Sequence, residues 1–156
     1  CGGYQMLGRS IHDPDGVEGP AAKVDGLGLL DVETVMSADK QVRSRHARAL
    51  SSGVPVTGYE IHMGRTSGRD CARAWLDLDG RPEGAAARDG RVRGSYLHGL
   101  FSADGFRAEY LAMLGAESVP GYEDGVDDVL DRLADHLERH MDLDLMLSLA
   151  EEPHRA

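Results

Sequence analysis

The chain has 156 residues, the size of one ordinary domain, and 41% of them are hydrophobic, so it can bury a core. Its 27 acidic residues outnumber 17 basic ones, giving a formal charge of −10 with no obviously basic face, which argues against nucleic acid as a partner. The two cysteines, Cys1 and Cys71, make no disulfide or metal framework. No apolar run approaches the roughly 18 residues of a membrane span, and no signal peptide is visible. No membrane partner and a reducing, cytoplasmic setting are therefore expected.

In chain order, residues 2–8 (GGYQMLG) read as the first turns of a helix. Residues 12–20 (HDPDGVEGP) are rich in turn signals. Residues 27–36 (LGLLDVETVM) read as a strand, with a break allowed, and 41–50 as another. Residues 54–63 (VPVTGYEIHM) carry the β-branched and aromatic content of a strand. In 71–79 (CARAWLDLD), Ala72, Ala74, Leu76 and Leu78 alternate with their neighbours, which predicts a strand with one buried face and makes Cys71 a small buried residue and Trp75 a packing residue. Asp89-Gly90 predicts a hairpin turn between 85–88 and 91–97. Past Phe101, Ser102 or Asp104 is expected to cap a helix over about 103–114. Val126, Val129, Leu130, Leu133 and Leu137 form the stripe of an amphipathic helix over 124–140, with acids near its start suiting the helix dipole. A short helix follows at 142–149, and 151–156 reads as a tail. His136 and His140 sit one helical turn apart, but no third metal ligand accompanies them. The fifteen arginines against two lysines carry no functional reading.

Two short elements carry chemistry. CGGYQMLG (1–8) places a cysteine before small residues and a helix. A tight turn into a helix projects a thiol, the helix N-terminus favours the thiolate, and the following N–H is placed to donate to an oxyanion. Taken alone, the motif is more often an ordinary glycine-rich turn with a passive cysteine. YLHGLF (96–101) brings a histidine to the end of an apolar strand, where it can act as general base toward a thiol; alone, it is equally a loop histidine with a packing role.

In this order, CGGYQMLG, GYEIHMG (58–64) and YLHGLF resemble the motifs of class I-type glutamine amidotransferase domains of the cobyric acid synthase branch. HDPDGVEG (12–19), GLGLLDVET (26–34) and LDRLADHLE (130–138) fit the same branch, so the resemblance runs from Cys1 to about Leu149. It implies an α/β fold, a fragment of a flavodoxin-like amidotransferase domain with a mixed sheet and C-terminal helices over residues 1–150. It implies that Cys1 is the nucleophile toward the side-chain amide of glutamine and His98 its general base. Gly2 would supply an oxyanion N–H, and Gln5 matches a substrate-contacting position. A γ-glutamyl thioester and ammonia would result, and water would then release glutamate. No metal and no cofactor are implied in this part. ATP and Mg²⁺ would belong to a preceding synthetase domain of the full-length chain, which uses the ammonia to amidate a corrinoid acceptor, adenosylcobyrinic acid a,c-diamide.

One departure is visible. Many class I amidotransferases carry a glutamate two residues after the histidine, where this chain has Leu100, so the usual third member is absent. Glu60 is the candidate to orient His98; alternatively, Glu60 or His62 holds the neighbouring loop or contacts substrate. The chain begins at its cysteine, which leads to the expectation of a truncated domain without glutaminase activity of its own. Other readings stay open: a sister amidotransferase acting on cobyrinate a,c-diamide or cell-wall lipid II, and an inactive remnant. An N-terminal-nucleophile hydrolase is disfavoured by the helix after Cys1 and by the YLHGLF histidine.

Overall fold

The computed structural model describes residues 1–150, and the expected tail at 151–156 lies outside them. Two compact units are formed, Cys1–Ser118 and the segment from Val119 onward. The first unit opens with helix α1 (Gly2–Leu7), followed by strands β1 (Ser10–Asp13), β2 (Ala22–Asp25), β3 (Val32–Val35), β4 (Gln41–Ala49), β5 (Pro55–His62), β6 (Arg65–Gly68), β7 (Leu76–Leu78), β8 (Arg81–Glu83), β9 (Ala85–Ala86), β10 (Arg93–Gly94) and β11 (Leu97–His98), and then helix α2 (Asp104–Met113). It is an α/β arrangement. A four-stranded sheet in the order β2-β1-β3-β6 mixes one parallel pair, β1 with β3, with antiparallel neighbours. A five-stranded sheet in the order β11-β5-β4-β7-β8 is antiparallel throughout, and β9 and β10 form a small ribbon.

Two apolar clusters hold these sheets. Ala47, Val56, Leu76, Leu78 and Leu97 bury one face of the five-stranded sheet against Phe106 of α2. Tyr4, Leu30, Val32, Ala85 and Tyr96 form the second cluster. Full burial of a Leu or Val side chain stabilises by about 1.5–3 kcal/mol, so residues that anchor in these clusters are firmly placed. The turn-rich segment after β1 is closed by Asp13, whose carboxylate accepts the N–H of Val17 at 2.8 Å and of Glu18 at 3.0 Å. Those two bonds, Glu18 first, hold its carboxyl below the usual range.

Three elements differ from the sequence reading. Residues 69–73 form a 3₁₀ turn, so Cys71 and Ala72 are not on a strand, and strand β7 covers only Leu76–Leu78. Asp70 explains the turn: its carboxylate accepts the Asp31 N–H at 2.9 Å and pairs with Arg73, pulling the chain out of extended form. Of the four alternating residues, Leu76 and Leu78 alone are buried. Residues 27–31 are irregular and strand β3 begins at Val32, because the N–H groups of Leu27, Gly28 and Leu30 are used on the carbonyls of Met6, Gly8 and Leu7. Helix α2 is entered through Ala103, with neither Ser102 nor Asp104 as its cap; the Ser102 hydroxyl is bonded to Gly99 O at 2.8 Å instead.

The second unit contains α3 (Tyr122–His140) and α4 (Leu143–Leu149), the latter capped by Asp142 accepting the Leu145 N–H at 2.9 Å. The α3 stripe is present, and Val129, Leu130 and Leu133 on it remain about half exposed. No helix among the described residues is long and apolar enough to cross a membrane.

Candidate active site

Cys1 is exposed at the start of α1. The first helical bond runs from the Gln5 N–H to Cys1 O at 3.1 Å. The N–H groups of Gly2, Gly3 and Tyr4 therefore have no partner within the helix and gather beside the cysteine. Tyr4 fixes this helix: it is buried, and its ring meets Tyr96 edge-on at 4.9 Å. Gly94 makes room for that ring, since a Cβ at position 94 would overlap it. By contrast, a Cβ at Gly2 or Gly3 would meet nothing within 4 Å, so among the described residues a methyl group is not crowded at either position.

His98 ends β11, an edge strand of the five-stranded sheet. Its two predecessors point into different cores, Tyr96 into the cluster around Tyr4 and Leu97 into the cluster around Phe106. Gly58 lets β11 lie close to β5, because a Cβ there would collide with His98 O and sit 3.2 Å from the Leu97 side chain. The result joins two residues 97 apart in sequence: the Cys1 backbone nitrogen and His98 Nε2 lie 3.5 Å apart. The imidazole lies parallel to the Tyr59 ring in an offset stack, with centroids 5.1 Å apart and planes 5° from parallel.

Gln5 is buried, and its side-chain NH₂ faces Met63 O at 3.1 Å and the Tyr96 hydroxyl at 3.4 Å. Tyr96 also bonds Thr66, which bonds Thr34 at 2.7 Å. A continuous polar chain thus runs from the cysteine's helix through the His98 segment into the four-stranded sheet.

Glu60 does not orient His98. In β5 the side chains alternate in direction, and His98 is paired with Tyr59 while Glu60 is paired with Leu97. Glu60 therefore lies on the other face of the sheet. There its carboxylate accepts from Arg45 Nε at 2.8 Å and lies 3.1 Å from His62 Nε2, while His62 Nδ1 is 3.2 Å from Gly64 O. Burial pushes the Glu60 carboxyl up, but the bonds and charges of His62 and Arg45 outweigh it and hold the group below its ordinary value. Arg43, Arg45, Arg65 and Arg81 line a cleft of ≈ 440 Å³ on this side together with Glu60 and His62; neither Cys1 nor His98 lines it. Leu100 packs against the Phe106 cluster, so the position of the missing third member is turned to the core. No group of three or more His, Cys, Asp or Glu side chains among the described residues could hold a metal ion, and His140 Nδ1 lies 2.8 Å from His136 O.

Sequence reasoning singled out Cys1, His98, Gly2, Gln5 and Glu60. The structure brings the first four together and leaves Glu60 across the sheet. It adds Tyr59, Gly58 and Tyr96. A glycine inside a strand pattern marks close approach of another backbone, so Gly58 carried a readable signal. Tyr59 required the register of β11 on β5, which no local pattern encodes.

The start of α1 and the end of β11 thus meet where the Cys1 backbone nitrogen faces His98 Nε2, and a family model of the CobB/CobQ-like glutamine amidotransferase domain matches residues 1–106. The chain belongs to that family. Within it, the chain is similar to cobyric acid synthases: 63% identical to that of Ruegeria sp. (strain TM1040) over 151 residues, which are 97% of this chain and 31% of the relative. It is 57% identical over 150 residues to that of Paracoccus denitrificans (strain Pd 1222), 96% of this chain and again 31% of the relative. It is 60% identical over 116 residues to that of Cereibacter sphaeroides (strain ATH 2.4.1.), 74% of this chain and 24% of the relative. The chain spans about a third of the length of the first of these relatives.

Proposed function

We propose that Cys1 and His98 are the glutaminase pair of a cobyric acid synthase. The observation that carries this reading is the approach of the Cys1 backbone nitrogen to His98 Nε2 at 3.5 Å across 97 residues of sequence, in a chain of the glutamine amidotransferase family. His98 accepts the Cys1 thiol proton, and the thiolate attacks the side-chain amide carbon of glutamine. A carbon–sulfur bond forms, and the oxyanion is held by the Gly2 N–H at the helix start. His98 then returns the proton to the nitrogen, the carbon–nitrogen bond breaks, and ammonia leaves a γ-glutamyl thioester. Water, losing a proton to His98, attacks the thioester; the carbon–sulfur bond breaks and glutamate is released as the thiol is reprotonated. Gln5 contacts the substrate through its amide oxygen, since its NH₂ is engaged by Met63 and Tyr96. Glu60, engaged by Arg45 and His62, supports the loop at Gly64.

In this reading the ammonia passes to an ATP- and Mg²⁺-dependent synthetase domain of the full-length chain. That domain amidates the carboxylates of adenosylcobyrinic acid a,c-diamide in the cytoplasm. The residues described here need no cofactor of their own. The reading is tested by replacing the matching segment of the Ruegeria enzyme with this chain and measuring glutamate release. Cys1→Ser and His98→Ala are each expected to lower turnover by at least about a hundredfold; turnover within about threefold of the parent in either variant would contradict the pair.

A further inference from the structure

We propose that Tyr59 is the positioning residue of His98, taking over by stacking the orienting task that a carboxylate performs in a triad. This rests on the reading of His98 as the general base. Two observations carry it. The position where the acid would stand is Leu100, which is packed against the core, and no described carboxylate is hydrogen-bonded to His98. Tyr59 and His98 are directly paired across β5 and β11, so both side chains leave the sheet on the same face. Their rings are parallel to within 5° at a centroid separation of 5.1 Å.

The geometry accounts for what a base requires. An imidazole has two torsions to fix. Strand β11 fixes the backbone from which both start, because Leu97 is buried beside it. A parallel aromatic neighbour then restrains the ring, since tilting it out of plane loses the offset contact between the two faces. Stacking uses no ring nitrogen and leaves Nε2 where it stands, 3.5 Å from the Cys1 backbone nitrogen. Tyr59 is 47% exposed, so its ring is not placed there by burial in a core. Its worth lies in fixing a neighbour.

The test uses the same chimera with Tyr59→Leu and Tyr59→Phe. Leucine retains bulk and strand tolerance but not the flat face. Tyr59→Leu is expected to lower kcat about tenfold with KM changed less than about twofold, as loss of orientation rather than of binding predicts. Tyr59→Phe is expected to restore kcat to within about twofold, because the ring and not the hydroxyl does the orienting. The ring-current shift of the His98 C–H protons in the NMR spectrum should be kept by phenylalanine and lost with leucine. That readout also distinguishes a loosened imidazole from a misfolded sheet. Unchanged kcat in Tyr59→Leu overturns the proposal, as does a Tyr59→Phe variant as slow as leucine. Wild-type turnover in Cys1→Ser would bring down the glutaminase reading together with this one, whereas loss in Cys1→Ser with no loss in Tyr59→Leu would sink the positioning role alone.

Discussion

Gly58→Ala is the substitution that most directly probes how the two halves of the site are joined. The residue lies in β5, opposite Arg45 of β4, with β11 on its other side. A methyl group there would overlap His98 O and press on the Leu97 side chain at 3.2 Å. Restoring ordinary contact requires β11 to withdraw by about 1 Å. The strand is only two residues long, and Leu97 is 4% exposed in the core, so withdrawal strains the packing on that side. Overpacking of this kind costs about 1–3 kcal/mol. A displacement of that size at the general base corresponds to roughly a hundredfold in rate. Urea unfolding of this chain should report the first quantity and glutamate release by the Ruegeria chimera the second. A Gly58→Ala protein with parental turnover and midpoint would refute the argument that β11 is held against β5 by the absence of a side chain.

Two further predictions follow from the face opposite His98 and from the core. Glu60→Gln should cost about 1–3 kcal/mol at neutral pH through loss of the Arg45 partner, with little effect on turnover. The folded carboxyl of Glu60 is held low, so its contribution is complete above the unfolded value of about 4.3 and is lost as pH falls through the lower folded value; the acid limb of the stability curve should therefore flatten in Glu60→Gln, as measured by urea midpoints over the acid range. Leu100→Glu restores the acid found in many class I sites but should not restore a triad, because position 100 faces the Phe106 cluster. It should destabilise by about 2–3 kcal/mol with no gain in rate, as followed by thermal unfolding and turnover.

Legibility in the sequence was uneven, for physical reasons. Strands β4 and β5 and helices α1, α2 and α3 follow from periodicity and propensity, which act locally. Residues 71–79 misled because Ala72 and Ala74 imitate a period of two, while the segment's backbone is governed by Asp70, which reaches back to Asp31. Cys1 and His98 were singled out only through the order of several motifs along the chain, since each short motif alone is as readily a passive turn or loop. What orients His98 was not, because it depends on the register of a two-residue strand. Glu60 and Tyr59 are adjacent in sequence, yet one step of alternation puts them on opposite faces. The stripe on α3 was legible as an amphipathic face, and it is still half exposed within the unit that carries it.

The proposed chemistry stands on Cys1 as nucleophile and His98 as its base. The Ruegeria chimera carrying this chain, treated with a diazoketone analogue of glutamine and mapped by mass spectrometry, shows which thiol reacts. Cys71 provides the internal control, since burial pushes its thiol up, above the ordinary value. A single adduct on Cys1 is expected, slowed by at least about tenfold in His98→Ala and suppressed by excess glutamine. Modification of Cys71 in preference to Cys1, or labelling of Cys1 that is indifferent both to glutamine and to His98→Ala, would contradict it.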